Sequence, residues 1–118
     1  MTALETAQKA AQILDVKKAE QVRILGIHEV SVLCDYFVIA TGTGSTHVKA
    51  LADELEFQLG EKGIKPHHVE GYRSNSWILL DYGEVVVHVF TRESRAFYDL
   101  DRLWQNGEPV PVEETTEF

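Results

Sequence analysis

Trp77-Ile78-Leu79-Leu80-Asp81-Tyr82-Gly83-Glu84-Val85-Val86-Val87-His88-Val89-Phe90 reads as a hairpin with two apolar faces. Two runs of β-forming residues flank Tyr82-Gly83, and glycine supplies the positive φ that a tight hairpin turn demands. With Asp81 opposite Glu84, Leu80 falls opposite Val85, Leu79 opposite Val86, Ile78 opposite Val87 and Trp77 opposite His88. Cross-strand partners share a face, so the hairpin sorts its own side chains. One face collects Ile78, Leu80, Val85, Val87 and Val89, all aliphatic, as a helix-covered core requires. The other collects Trp77, Leu79, Val86, His88 and Phe90, with aromatic rings and one polar handle. A small sheet with helices on only one side leaves that second face in water, and such an apolar patch marks a partner. These five residues are the candidate partner-binding set. The alternative is that the first or last helix covers the face, which makes Trp77 and Leu79 core.

Working outward, Leu4, Ala7, Ala11 and Leu14 repeat at helical spacing from about Thr2 onward. Val22 to Ile27 and Tyr36 to Ala40 read as strands. Thr41-Gly42-Thr43-Gly44-Ser45 is a loop whose Ser45 or Thr46 can cap a second helix. That helix carries Val48, Leu51, Ala52, Leu55 and Leu59 on one stripe, with Phe57 pointing away, and Gly60 to Gly63 end it. A strand around His67–Tyr72 precedes the hairpin. Ala96, Phe97, Leu100, Leu103 and Trp104 form the apolar face of a last helix. The order predicts a two-layer α/β (α+β) sandwich on a mixed sheet of about five strands, with helices mostly on one face. The unit from Tyr36 to Tyr72 is expected to be a right-handed parallel crossover. Residues 1–104 form one domain on this reading. The polar, acidic stretch 105–118, with Pro109 and Pro111, reads as a loose tail.

At 118 residues the chain can bury one modest core. No apolar run approaches the roughly 20 residues of a membrane helix, and the N-terminus lacks signal-peptide character. A single cysteine, Cys34, fits a reducing cytoplasm. Asp35 beside it disfavours a thiolate, so Cys34 is a poor nucleophile. The formal charge of −8, from 19 acidic against 11 basic residues, repels phosphate. Direct nucleic-acid binding is not expected, whereas a basic protein surface would be attracted.

Three constellations invite chemistry and fall short of it. Gly42-Thr43-Gly44-Ser45 resembles a phosphate-binding turn at a helix start, but lacks the lysine of a P-loop and the third glycine of a dinucleotide fingerprint. An enzyme that binds nucleotides through this turn is the alternative function. Of the five histidines (His28, His47, His67, His68, His88) only His67-His68 are neighbours, and on a strand those point opposite ways. No metal and no cofactor is expected. Asp99 and Asp101 lie roughly 200° apart on a helix and read as solvated.

Asp35-Tyr36-Phe37-Val38-Ile39-Ala40-Thr41-Gly42, Ser45-Thr46-His47-Val48 and Ala52-Asp53 carry a resemblance that continues down the chain. It runs on through Glu70-Gly71, Trp77 to Gly83, Val87-His88-Val89-Phe90, Arg95, Phe97-Tyr98 and Leu103-Trp104. In these motifs the chain is similar to the ribosomal silencing factor family, also called Iojap or RsfS. The resemblance implies a non-enzymatic translation regulator. Such a protein binds large-subunit ribosomal protein fourteen, keeps the small subunit from docking, and represses translation during nutrient limitation. It also implies a homodimer and a nucleotidyltransferase-like fold. Those enzymes follow the Gly-Ser helix start with a strand bearing paired magnesium-binding aspartates. Here Gly44-Ser45 is followed by His67-His68-Val69-Glu70-Gly71-Tyr72, which carries no such pair. The family's contact with its target is expected on the face of Trp77 and Leu79.

Overall fold

The computed structural model describes residues 2–27, 34–71, 74–103 (backbone only at 103) and 107–113. Helix α1 (Ala3–Val16) opens on a capping box: the Glu5 amide donates to Thr2 Oγ1 at 3.1 Å, and the Thr2 amide donates to Glu5 Oε1 at 2.8 Å. Strands β1 (Glu20–Gly26) and β2 (Tyr36–Gly42) pair antiparallel, with a bulge between Glu20 and Arg23 where Gln21 takes φ +48°. Helix α2 (Ser45–Glu61) buries the expected stripe of Val48, Leu51, Ala52, Leu55 and Leu59. Its N-cap is Gly44, with no side-chain cap, so Ser45 and Thr46 are helical residues rather than caps. The chain enters α2 tightly: a Cβ on Gly42 would stand 2.9 Å from the Val48 amide nitrogen.

Strands β3 (His68–Glu70), β4 (Trp77–Asp81) and β5 (Val85–Thr91) follow. Among the described residues the sheet has six strands in the order β3-β4-β5-β2-β1-β6, β6 being Glu108–Val110. Only β2 and β5 among its neighbours run parallel. Strand β3 therefore runs parallel to β2, as the crossover reading requires, but β5 and β4 lie between them. Gly71, which follows β3, takes φ +100°, and a Cβ there would collide with the Trp77 carbonyl at 1.9 Å. Only glycine lets the chain leave β3 against β4 in this way. Tyr72 and His28 fall outside the described residues.

The hairpin register differs from the expected one. Asp81 pairs with Val86, Leu80 with Val87, Leu79 with His88, Ile78 with Val89 and Trp77 with Phe90, a slip of two residues. The turn is wider because the Asp81 carboxylate holds it, accepting from the Gly83 amide at 2.8 Å, while the Tyr82 amide reaches Val85 O at 2.9 Å. An even slip leaves every side chain on its face. Ile78, Leu80, Val85, Val87 and Val89 are accordingly buried under α1 and α2, with Ile24, Val38 and Ala40 from the neighbouring strands.

Two expectations fail at the C-terminal end. The last helix is broken into α3 (Arg92–Tyr98) and α4 (Leu100–Leu103), because Asp99 adopts a left-handed conformation at φ +49° and its amide donates back to Arg95 O. Phe97 is consequently 81% exposed rather than on a buried stripe, and Arg95 is buried instead. Trp104 lies outside the described residues. The expected loose tail also contributes strand β6, antiparallel to β1 with Ile24 opposite Val110. An edge position tolerates Pro109, which has no amide to donate. Gln8 of α1 fastens the segment, donating to Pro111 O at 2.8 Å and accepting from the Glu113 amide at 2.9 Å.

Candidate docking face and its aromatic cluster

The sheet surface opposite α1 and α2 is partly closed. Leu25, Ile27, Cys34, Ile39, Phe90 and Leu100 form a second, smaller core there, with Phe37, Trp77 and Val86 packed half-buried against it. Strand pairing sets out what remains open. Glu70, Leu79 and His88 form one row across β3, β4 and β5, and His68, Asp81, Val86 and Phe37 form the next. An apolar centre of Leu79, Val86, Phe37 and Trp77 is thus edged by the carboxylates of Glu70 and Asp81. His68 Nε2 sits 3.3 Å from Glu70 Oε1 at that edge.

Of the five residues expected on an open face, Trp77, Leu79 and Val86 are half-buried, whereas His88 is 4% exposed and Phe90 fully buried. The last two are corrections to the expected exposure. Phe90 lies under the Trp77 ring, stacked at a centroid distance of 5.0 Å. His88 lies under Phe37 and Trp77, with the Phe37 ring edge-on at 4.7 Å. The reading that a terminal helix covers the face holds only for one end of it. There α3 brings Tyr98 to 4.6 Å from Trp77, and Phe97 stands edge-on to Tyr98 at 5.0 Å. Tyr98 is 44% exposed, so α3 lengthens the aromatic surface rather than sealing it. Phe97, Tyr98 and Phe37 were not foreseen as site residues. For Phe97 and Tyr98 the signal is Asp99, a residue type that tolerates the left-handed region and so can end a helix before the apolar stripe completes.

Trp77 Nε1 donates to His88 Nδ1 at 3.1 Å. Burial pushes the imidazole down to about 4 from an ordinary 6.5, so it is neutral at pH 7. Between those values the unfolded chain binds a proton that the folded chain refuses. This contribution to stability is complete above pH 6.5 and is lost as pH falls toward 4, by about 3 kcal/mol in all. Urea denaturation across that interval is expected to show the loss, and to show less of it in His88→Asn.

Arg95 anchors α3. Its Nη1 donates to Gln21 O at 2.6 Å and to Thr41 Oγ1 at 3.0 Å, while Nε and Nη2 reach both carboxylate oxygens of Asp101 at 3.2 Å. Arg23 adds a contact to Asp101 at 2.7 Å. Burial alone would raise the Asp101 carboxyl, but hydrogen bonds and charge from Arg95 and Arg23 outweigh it and hold it low. Asp101 is therefore an ion-pair partner and not a solvated carboxylate as expected.

The other candidate chemistry is absorbed by structure. The Thr43 amide of the Gly42–Ser45 turn donates to His47 Nδ1 at 2.9 Å, and His47 Nε2 meets Lys17 O at 3.0 Å. That amide is spent on holding α2 to the end of α1. Burial, followed by Asp81 and Asp35, pushes the Cys34 thiol up to about 11. Among the described residues no group of three or more His, Cys, Asp or Glu side chains is placed to hold a metal. No helix among them is long and apolar enough to cross a membrane.

The family model described as "Ribosomal silencing factor during starvation" matches residues 1–117. The chain belongs to the ribosomal silencing factor family. It is similar to the ribosomal silencing factor of Halalkalibacterium halodurans, at 41% identity over 96% of this chain and 97% of that one. It is also similar to that of Bacillus subtilis, at 40% identity over 80% of each. The chloroplastic Iojap protein of Zea mays shares 31% identity over 93% of this chain and 46% of its own length. A crystal structure from Chromobacterium violaceum superposes with a TM-score of 0.86 at 31% identity, covering 99% of this chain and 98% of that one. One from Bacillus halodurans superposes at 0.77 with 40% identity, covering 92% and 96%. The RsfS family thus shares this mixed sheet with its helices.

Proposed function

We propose that this RsfS-family protein binds the large ribosomal subunit through ribosomal protein fourteen and sterically blocks joining of the small subunit, repressing translation in the cytoplasm when nutrients run low. One observation carries the reading: Trp77, Leu79, Val86 and Phe37 form a half-exposed apolar centre, extended by Tyr98 and Phe97 and edged by Glu70 and Asp81. Large rings beside acidic groups suit a basic protein surface with an apolar spot. The net charge of −8 favours such an encounter and opposes direct docking on RNA. No catalytic role is needed. The family is that of a silencing factor, and the Gly42–Ser45 turn spends an amide on its own His47.

Sedimentation of mixed ribosomal subunits is the test. Added protein is expected to shift joined ribosomes toward free subunits, with the protein travelling on the large one. Undiminished joining at saturating protein would sink the proposal. A homodimer built on the same face would compete with the ribosome, so dilution that dissociates it would strengthen binding. A separate self-association route through α2, where Phe57 is 64% exposed, would leave binding unchanged.

A further inference from the structure

His88 stands at the centre of the second sheet face yet is almost wholly buried, so a partner cannot rest on it. Its ring touches Phe37 edge-on, stacks near Phe90, and accepts the Trp77 indole N–H. An indole nitrogen only donates, so Nδ1 is the bare nitrogen and the ring proton sits on Nε2. Nε2 is buried and meets no hydrogen-bond partner among the described residues. A buried unpaired donor costs about as much as one neutral hydrogen bond returns, so His88 contributes little net stability through its polar atoms. A leucine or phenylalanine at this place would avoid the penalty. What the imidazole supplies and those apolar side chains do not is an acceptor at one point under the face, which fixes how the Trp77 ring lies between Phe90 and Tyr98.

We propose that His88 is a positioning residue: it acts through Trp77, locking the indole in the orientation that the docking face presents. Fixing a large side chain before contact removes an ordering cost from binding. The affinity arm of the test rests on the function proposed above, whereas the spectroscopic arms do not.

Nuclear magnetic resonance of the unaltered protein is expected to report the Nε2–H tautomer of His88, with the Trp77 indole proton hydrogen-bonded and slow to exchange. The chain has two tryptophans, and the indole signal lost in Trp77→Phe identifies the relevant one. In His88→Asn the side-chain oxygen can take the place of Nδ1. The indole signal is expected to stay shifted, with affinity for the large subunit close to that of the parent. In His88→Gln the amide reaches the Nε2 position instead. The indole proton is expected to move upfield and exchange faster, and affinity to fall about tenfold at a retained melting transition. An Nδ1–H tautomer in the parent overturns the proposal even if neither variant folds. So does an indole signal indifferent to His88→Gln, or an equal affinity loss in both variants. Failure of the parent to bind the large subunit would count against the proposed function while leaving the indole signals to decide the role of His88.

Discussion

Replacing Ile78 and Leu80 together by alanine is expected to unfold the domain. Both side chains are fully buried between the sheet and the α1–α2 layer, in one contact cluster with Leu14, Val38, Leu55 and Val87. Each truncation removes burial and leaves a cavity, at about 2–5 kcal/mol. A domain of this size holds only about 5–15 kcal/mol in total, so the pair consumes much or all of it. Circular dichroism melting is expected to show a lost or strongly lowered cooperative transition. Ribosome binding would vanish with it, for want of a folded protein. A double variant that melts like the parent would mean that this face is not the main core.

Trp77→Ala with Leu79→Ala is expected to do the reverse. Both residues are half-buried on the opposite face of the same strand. Central aromatic and aliphatic anchors each carry about 2 kcal/mol of binding or more, so the pair should weaken large-subunit affinity about a thousandfold. The fold should survive, though not untouched. Trp77 stacks on Phe90, packs tilted against Tyr98 and donates to His88, so its removal uncovers part of the second core. A loss of about 1–3 kcal/mol is expected, smaller than for the core pair. Leu79→Asp alone, which spares those ring contacts, should weaken binding with less effect on melting. Equal behaviour of the Trp77/Leu79 and Ile78/Leu80 pairs would contradict the assignment of faces.

Parity along the strand explains why the hairpin was legible. A slip of two residues moves every cross-strand partner yet changes no face, so alternation groups Ile78 and Leu80 on one face and its all-aliphatic character marks that face as core. The stripe of α2 was legible for the same kind of reason, since helical spacing decides it without knowledge of the partner strands. What escaped depends on contacts distant in the chain. Strand β6 forms on residues with two nearby prolines because Gln8, 103 residues before Pro111, holds it against α1. The helix break at Asp99 is tied to Arg95, whose guanidinium needs Thr41, Gln21 and Asp101 brought together by the fold. Without that break, Phe97 reads as part of one more buried stripe with Ala96, Leu100 and Leu103. The burial of His88 and Phe90 escaped likewise, because it rests on Phe37 from β2 and on rings from β4 and α3.

A photo-crosslinking side chain placed at position 79 and irradiated on isolated large subunits tests directly whether this face docks on a ribosomal protein. Attachment to ribosomal protein fourteen is expected, suppressed by excess unlabelled protein. Attachment to ribosomal RNA or to a different ribosomal protein, or efficient binding with no crosslink from this position, would contradict it.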